Sequence, residues 1–63
     1  MNRDMRLKVA RIAAGLSQFE LAQRVGISES TISKIETRRV IPTRDIQERI
    51  ATTLSKARWE VFL

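Results

Sequence analysis

A short run of hydroxyl and charged side chains, on one side of a predicted helix, is where this sequence could bind a ligand. At about 100° per residue, Ile32 and Ile35 share the inward side of that helix. The opposite side carries Ser30, Ser33, Lys34 and Thr37, flanked by Glu29 and Thr31. Short hydroxyls let a helix backbone approach the base edges of the DNA major groove, where longer side chains reach donors and acceptors. An ordinary solvated face has the same composition, so the pattern alone leaves both interpretations open.

Two short amphipathic helices joined by a glycine turn would position that face. Ser17 and Glu20 have the S-x-x-E spacing of a capping box, in which each side chain satisfies a free amide at the start of a helix. Gly26 can adopt a left-handed conformation at the end of the same helix. A serine then opens the second helix, residues 28–36. We therefore predict a helix-turn-helix motif at about residues 18–37.

The run GLSQFELAQRVGISESTISKIE, residues 15–36, resembles the phage repressor and Cro (XRE-type) family of bacterial helix-turn-helix regulators. That family shares the pattern G-[LM]-[ST]-Q-x-x-L-A-x-x-x-G-[IV]-S-x-x-x-I-S-x-[IW]-E. The resemblance implies an all-α fold, a compact bundle of four to five short helices like the lambda-repressor DNA-binding domain. In the family, helix two crosses the DNA backbone and helix three, the recognition helix, lies in the major groove.

The resemblance also implies which residues contact DNA. Gln18, at the start of helix two, would clamp the phosphate backbone. Bases and adjacent phosphates would be contacted from six positions of the recognition helix: Ser28, Glu29, Ser30, Thr31, Ser33 and Lys34. Arg38 and Arg39 follow in a loop from which the family often contacts phosphate, so they would add affinity without sequence information. The alternative is a solvated pair of arginines, and Thr37-Arg38 departs from the Gly or Asn that the family often has there.

Helix one is predicted from Asn2 to Ala14. Its inward stripe consists of Leu7, Ala10 and Ala14. Arg11 lies on the same stripe, which is unusual for a charge without a partner. The resemblance implies that Arg11 pairs with Glu36 at the end of the recognition helix; the alternative is a long side chain that reaches out to water.

The C-terminal third is predicted to form two further helices. Thr43 would cap helix four, and Ser55 would cap a last short helix from Lys56 to about Phe62. The apolar residues of that last helix are Trp59, Phe62 and Leu63. We expect part of this cluster to be exposed and to form the contact of a homodimer, because in the resembled family this region lies near the two-fold axis. The alternative is that the cluster closes the monomer's own core.

Composition restricts the possible functions. The 63 residues make one domain, residues 1–63, which is either a minimal protein or part of a longer one. Twelve Lys and Arg against seven Asp and Glu give a net charge of +5, which predicts a polyanionic partner: double-stranded DNA first, an anionic membrane surface second. The helices are short, and their apolar sides are needed to cover a shared core, so binding to lipid is disfavoured.

Cysteine and histidine are both absent, which excludes disulfides, thiol nucleophiles, histidine acid–base chemistry and structural zinc of the usual ligand types. We expect no cofactor and no enzymatic activity. No apolar run is long enough to span a bilayer, so we expect a cytoplasmic protein.

Two functions remain. The first is sequence-specific binding of double-stranded DNA by a transcriptional regulator, a repressor, that acts as a homodimer on a pseudo-palindromic operator. The second is an antitoxin-type interaction module, which sequesters a partner protein and binds DNA only secondarily.

Overall fold

The computed structural model describes residues 4–62, which form five α-helices and contain no strand. The helices are α1 (Arg6–Ala13), α2 (Gln18–Val25), α3 (Glu29–Glu36), α4 (Arg44–Thr53) and α5 (Arg58–Val61). The predicted all-α bundle is confirmed, with α2 and α3 forming the helix-turn-helix.

All five helices contribute to one apolar core. Leu21 of α2, Ile32 of α3 and Ile50 of α4 are fully enclosed at its centre. Leu7 of α1 and Val61 of α5 are buried at its edge. The helix-turn-helix pair therefore rests on α4, and the outward side of α3 is left for solvent.

The helix starts follow the predicted capping residues. The Ser17 hydroxyl accepts the Glu20 N–H at 3.0 Å, and the Glu20 carboxylate accepts the Ser17 N–H at 2.9 Å. The hydrogen bond from the Ser17 backbone N–H holds the pKa of Glu20 below its ordinary value, and the Ser17 hydroxyl adds to this effect. Ser28 caps α3 and Thr43 caps α4 in the same way, through the N–H three residues later.

Helix one is shorter than the sequence predicts. Asn2 lies outside the described residues, and Asp4 precedes α1, where its carboxylate accepts the Arg6 N–H at 3.0 Å. Ala14, predicted to face inward, is exposed, because α1 ends at Ala13 and Gly15 turns the chain with a φ of 74°. Leu16 takes the buried position instead.

The last helix begins later than predicted, and part of its apolar cluster is exposed, as expected. Ser55 has a φ of 57° and belongs to the turn after α4, so Ala57 is the residue that precedes α5. With the helix beginning later, Val61 is buried, whereas Trp59 is 72% exposed and Phe62 is half-buried. Leu63 lies outside the described residues.

Replacement of Gly26 by alanine should destabilise the fold through the backbone alone. Gly26 has a φ of 88°, and no atom lies within 4 Å of the position that a Cβ would take. The left-handed conformation costs an L-residue about 1–2 kcal/mol. Urea unfolding should show that loss for Gly26→Ala and a smaller one for Gly26→Asn, since asparagine tolerates this region. Equal stability of Gly26→Ala and the unsubstituted protein would contradict the assignment.

Candidate nucleic-acid interface

The outward side of α3 has the geometry that the sequence predicts. Ile32 and Ile35 are buried beneath it, and Glu29, Ser30 and Lys34 are exposed. Ser28 at the start is also exposed, while Thr31 and Ser33 are half-buried. The six predicted contact residues of this helix therefore lie around one polar surface.

The two hydroxyls at the start of α3 hold each other in place. The Ser28 Oγ accepts the Thr31 N–H at 3.1 Å and lies 2.8 Å from the Thr31 Oγ1. A hydroxyl can donate one hydrogen bond and accept two. The two hydroxyls therefore hold each other's rotamers, and each can still form a further hydrogen bond with a ligand.

Positive charge is concentrated at the other end of α3. Lys34 and Arg39 are exposed, and the ion pairs between described residues include neither of them. The ammonium and guanidinium groups are therefore available to an anionic ligand. Glu29, at the opposite end, is favoured by the helix dipole at an N-terminus.

The chain leaves α3 through a left-handed residue at Arg38, whose φ is 63°. The Arg39 N–H donates to the Lys34 carbonyl at 2.8 Å, and the Arg38 N–H donates to the Ile35 carbonyl at 3.1 Å. These two bonds form a Schellman motif, in which glycine is the usual left-handed residue. The loop thus takes the path that a glycine would favour, although the sequence has none there.

Arg38 differs from Arg39 in its surroundings. The Arg38 Nη1 lies 3.3 Å from a carboxylate oxygen of Asp4, just before α1. A phosphate at Arg38 would have to share the guanidinium with this carboxylate. Of the two arginines predicted to anchor phosphate, Arg39 is the one without an ion pair among residues 4–62.

The predicted pair between Arg11 and Glu36 is present. The Arg11 Nε lies 2.6 Å from one carboxylate oxygen of Glu36, and its Nη2 lies 3.3 Å from the other. The Arg11 side chain is 9% exposed and that of Glu36 is 4% exposed. The Arg11 Nη1 also donates to the Leu16 carbonyl at 2.8 Å, so the guanidinium joins α1 to the α1–α2 turn and to α3.

Gln18 has a role that the sequence analysis did not find. Its amide Nε2 donates to the Glu36 carboxylate at 3.0 Å, and the residue is half-buried. The amide has a second N–H and a carbonyl oxygen left for other partners. Gln18 therefore links the start of α2 to the end of α3, and this contact joins residues that are 18 positions apart.

A pocket of about 280 Å³ lies between the end of α3, the loop after it and the C-terminal end of α5. Leu7, Ile35 and Val61 contribute apolar walls. The Glu36 carboxylate in its wall already binds Arg11. Throughout residues 4–62, no buried side-chain polar atom is left without a hydrogen-bond partner.

The described residues include no group of three acidic side chains that could hold a metal ion. None of the five helices is both long and apolar enough to cross a membrane.

Loss of either partner of the Arg11–Glu36 pair should be costly. Arg11→Ala or Glu36→Ala leaves one charge buried and unmatched, which destabilises by about 3 kcal/mol or more. A domain of this size has about 3–9 kcal/mol in total. Arg49→Ala is the matched control, because the Arg49–Asp45 pair is at the surface and should contribute less than about 1 kcal/mol. Similar losses for both pairs in urea unfolding would contradict a structural role for Arg11.

A family model described as a helix-turn-helix domain matches residues 5–55. The matched segment contains α1 to α4 and therefore the whole α2–α3 motif. Comparison with curated proteins and with solved structures finds no match. Because the family model covers most of the chain and the α2–α3 geometry agrees with it, this chain belongs to the helix-turn-helix domain family.

Proposed function

We propose that this chain is a transcriptional regulator that binds double-stranded DNA sequence-specifically, with α3 in the major groove. One observation carries the proposal. The outward side of α3 presents the Ser30 hydroxyl and the Lys34 ammonium, neither of which is hydrogen-bonded to another side chain of residues 4–62, on a helix whose inward side is buried. Both ends of that helix are fixed, by Ser28 at the start and by the Glu36 network at the end.

Each side chain of α3 suits a particular contact. Lys34 is the proposed reader of a guanine, whose O6 and N7 accept hydrogen bonds, a contact worth about 1–3 kcal/mol of discrimination. Glu29 can accept from a cytosine amino group, although the helix dipole alone accounts for an acid at that position. The small hydroxyls, Ser28, Ser30, Thr31 and Ser33, allow the helix to approach the bases closely.

Phosphate contacts fix the register of the helix on the duplex. Arg39 is the principal anchor in this proposal, because its guanidinium is not in an ion pair with any residue of the described part. Gln18 would use its second amide N–H, and Arg38 would share its guanidinium between Asp4 and the DNA backbone.

The regulator would act as a homodimer, and as a repressor. Trp59 is 72% exposed, and an exposed aromatic side chain suits a protein contact. A two-fold dimer that holds its recognition helices about 34 Å apart would bind two half-sites one DNA turn apart, on a pseudo-palindromic operator. Occupying such an operator in the cytoplasm would block polymerase, and this requires no catalysis.

Lys34→Ala and Arg39→Ala should have different effects on binding. A genomic selection for bound fragments would supply the site, and gel shifts at several salt concentrations would then compare the variants. Arg39→Ala should weaken all sequences about equally and reduce the salt slope by roughly one unit. Lys34→Ala should instead change base preference at one position. A uniform loss of affinity for Lys34→Ala would contradict its role as a reader, and weak binding without any sequence preference would favour the interaction-module hypothesis.

Trp59→Ala should weaken the dimer without weakening the fold. Because the indole is mostly exposed, its loss should leave the melting temperature of the dilute, monomeric protein unchanged, while analytical ultracentrifugation should show more monomer and gel shifts less cooperative binding. Phe19→Ala is the control, since Phe19 is an exposed aromatic residue on α2. An unchanged dimer together with a lower melting temperature would assign Trp59 to the core.

A further inference from the structure

The outward side of α1 carries an apolar stripe, which we call the α1 stripe. It consists of Met5, Val9 and Ile12, at the i, i+4, i+7 spacing of one helix face. These side chains are 43%, 60% and 58% exposed. The Val9 N–H donates to the Met5 carbonyl at 2.9 Å, so Met5 is in register with the helix that follows it.

The α1 stripe lies opposite the part of α1 that packs on the core. Leu7 is buried, and Val9 follows it by two residues, or about 200° around the helix. Arg11, on the inward side, reaches Glu36 of α3. The stripe therefore points away from α3, and a partner seated on it would leave the proposed DNA-binding surface open.

The charges beside the α1 stripe are positive. Lys8 and Arg6 lie on its two edges, and α1 itself contains no acidic residue. Asp4 lies just before the helix, but its carboxylate is occupied by Arg6 and Arg38 and its side chain is only 17% exposed. An apolar stripe between basic edges is complementary to an apolar stripe between acidic edges.

The charges beside the α1 stripe argue against a second copy of the chain. Two copies would bring basic edges against basic edges. Because an eight-residue helix is about 12 Å long, a contact on it belongs to the small, transient class of interfaces, below about 1,200 Å². Lipid is disfavoured as well, because binding to a membrane surface scales with the apolar area that is buried, and this stripe has three large side chains.

We propose that the α1 stripe is a docking surface for an amphipathic helix of a partner protein, one that carries acidic residues on both sides of its apolar side chains. Helix recognition of this kind uses anchors at i, i+4 and i+7. The apolar contacts supply affinity. Lys8 selects an acidic partner, and Arg6, whose guanidinium is shared with Asp4 and the Trp59 carbonyl, adds to this on the other edge. The regulator would then bind a protein and an operator at once, on two separate surfaces.

The test uses a synthetic alanine-based helical peptide of about 20 residues, long enough to be helical in water. Leucines would form its stripe and glutamates its edges, and a second peptide would replace every glutamate with lysine. Titration into the ¹⁵N-labelled protein should shift the amide resonances of residues 5–13 and leave those of α3 unchanged. The lysine peptide should bind at least about tenfold more weakly, because its charges repel those of α1.

Two variants make the test specific. Val9→Ser with Ile12→Ser should abolish peptide binding, and serine has nearly the same helix propensity as valine and isoleucine, so the melting temperature should not fall. Ile41→Ser removes an even more exposed apolar residue from the loop after α3 and should bind the peptide normally. DNA binding should be the same in all of these proteins.

Several outcomes would overturn the proposal. They are no binding of the acidic peptide, equal affinity for both peptides, and full binding by the double serine variant. Two other outcomes would assign the α1 stripe to a different occupant. Cosedimentation with phosphatidylserine-containing vesicles that the double variant abolishes, without peptide binding, would assign the α1 stripe to membranes. Self-association of the DNA-free protein that the double variant abolishes would assign it to a second copy.

Discussion

The ion pair between Arg11 and Glu36 fixes the position of α3 relative to the rest of the fold. Moving two charges out of water costs several kcal/mol per ion, so such a pair adds little net stability unless its other polar atoms are satisfied. Here they are, because the Leu16 carbonyl accepts from Arg11 and the Gln18 amide donates to Glu36. Four residues from α1, the α1–α2 turn, α2 and α3 thus meet at one point. An apolar cluster could supply similar stability, but it would define the orientation of α3 less sharply.

The helices themselves are packed unevenly, which increases the importance of that contact. α2 packs against α3 and α4, whereas α1 packs mainly against α5. The Arg11–Glu36 pair is a direct side-chain link between α1 and α3. Without it, α3 would be positioned by its apolar packing and by the Gln18–Glu36 hydrogen bond, and apolar contacts are less directional than a bidentate ion pair.

The features predicted correctly from the sequence depend on neighbouring residues. The capping box at Ser17 and Glu20, the left-handed Gly26 and the cap at Ser28 are decided within a few positions, and their patterns are specific. The α3 surface followed because the burial of Ile32 and Ile35 determines which residues are outside. The Arg11–Glu36 pair required the family resemblance, since periodicity shows only that a charge lies on an inward face.

The errors lie where distant contacts or a turn without glycine decide the structure. The start of α5 could not be read from the sequence because Ser55 is a good capping residue, yet it takes a left-handed turn conformation there. Val61 was missed as a core residue for the same reason. The Gln18–Glu36 and Asp4–Arg38 contacts link residues far apart in the chain, and no local pattern indicates them.

Arg38 shows how a charged residue on the surface can limit the stability of the scaffold beneath it. A left-handed arginine is disfavoured by about 1–2 kcal/mol relative to glycine, a substantial fraction of what a domain of this size has. The ion pair with Asp4 offsets only some of that loss, because the Arg38 side chain is 60% exposed and water screens the pair. Glycine would relieve the strain and remove a cation beside α3. The residue at position 38 can therefore favour folding stability or positive charge, but not both. Selection for thermal stability alone would be expected to replace this arginine first among the basic residues beside α3.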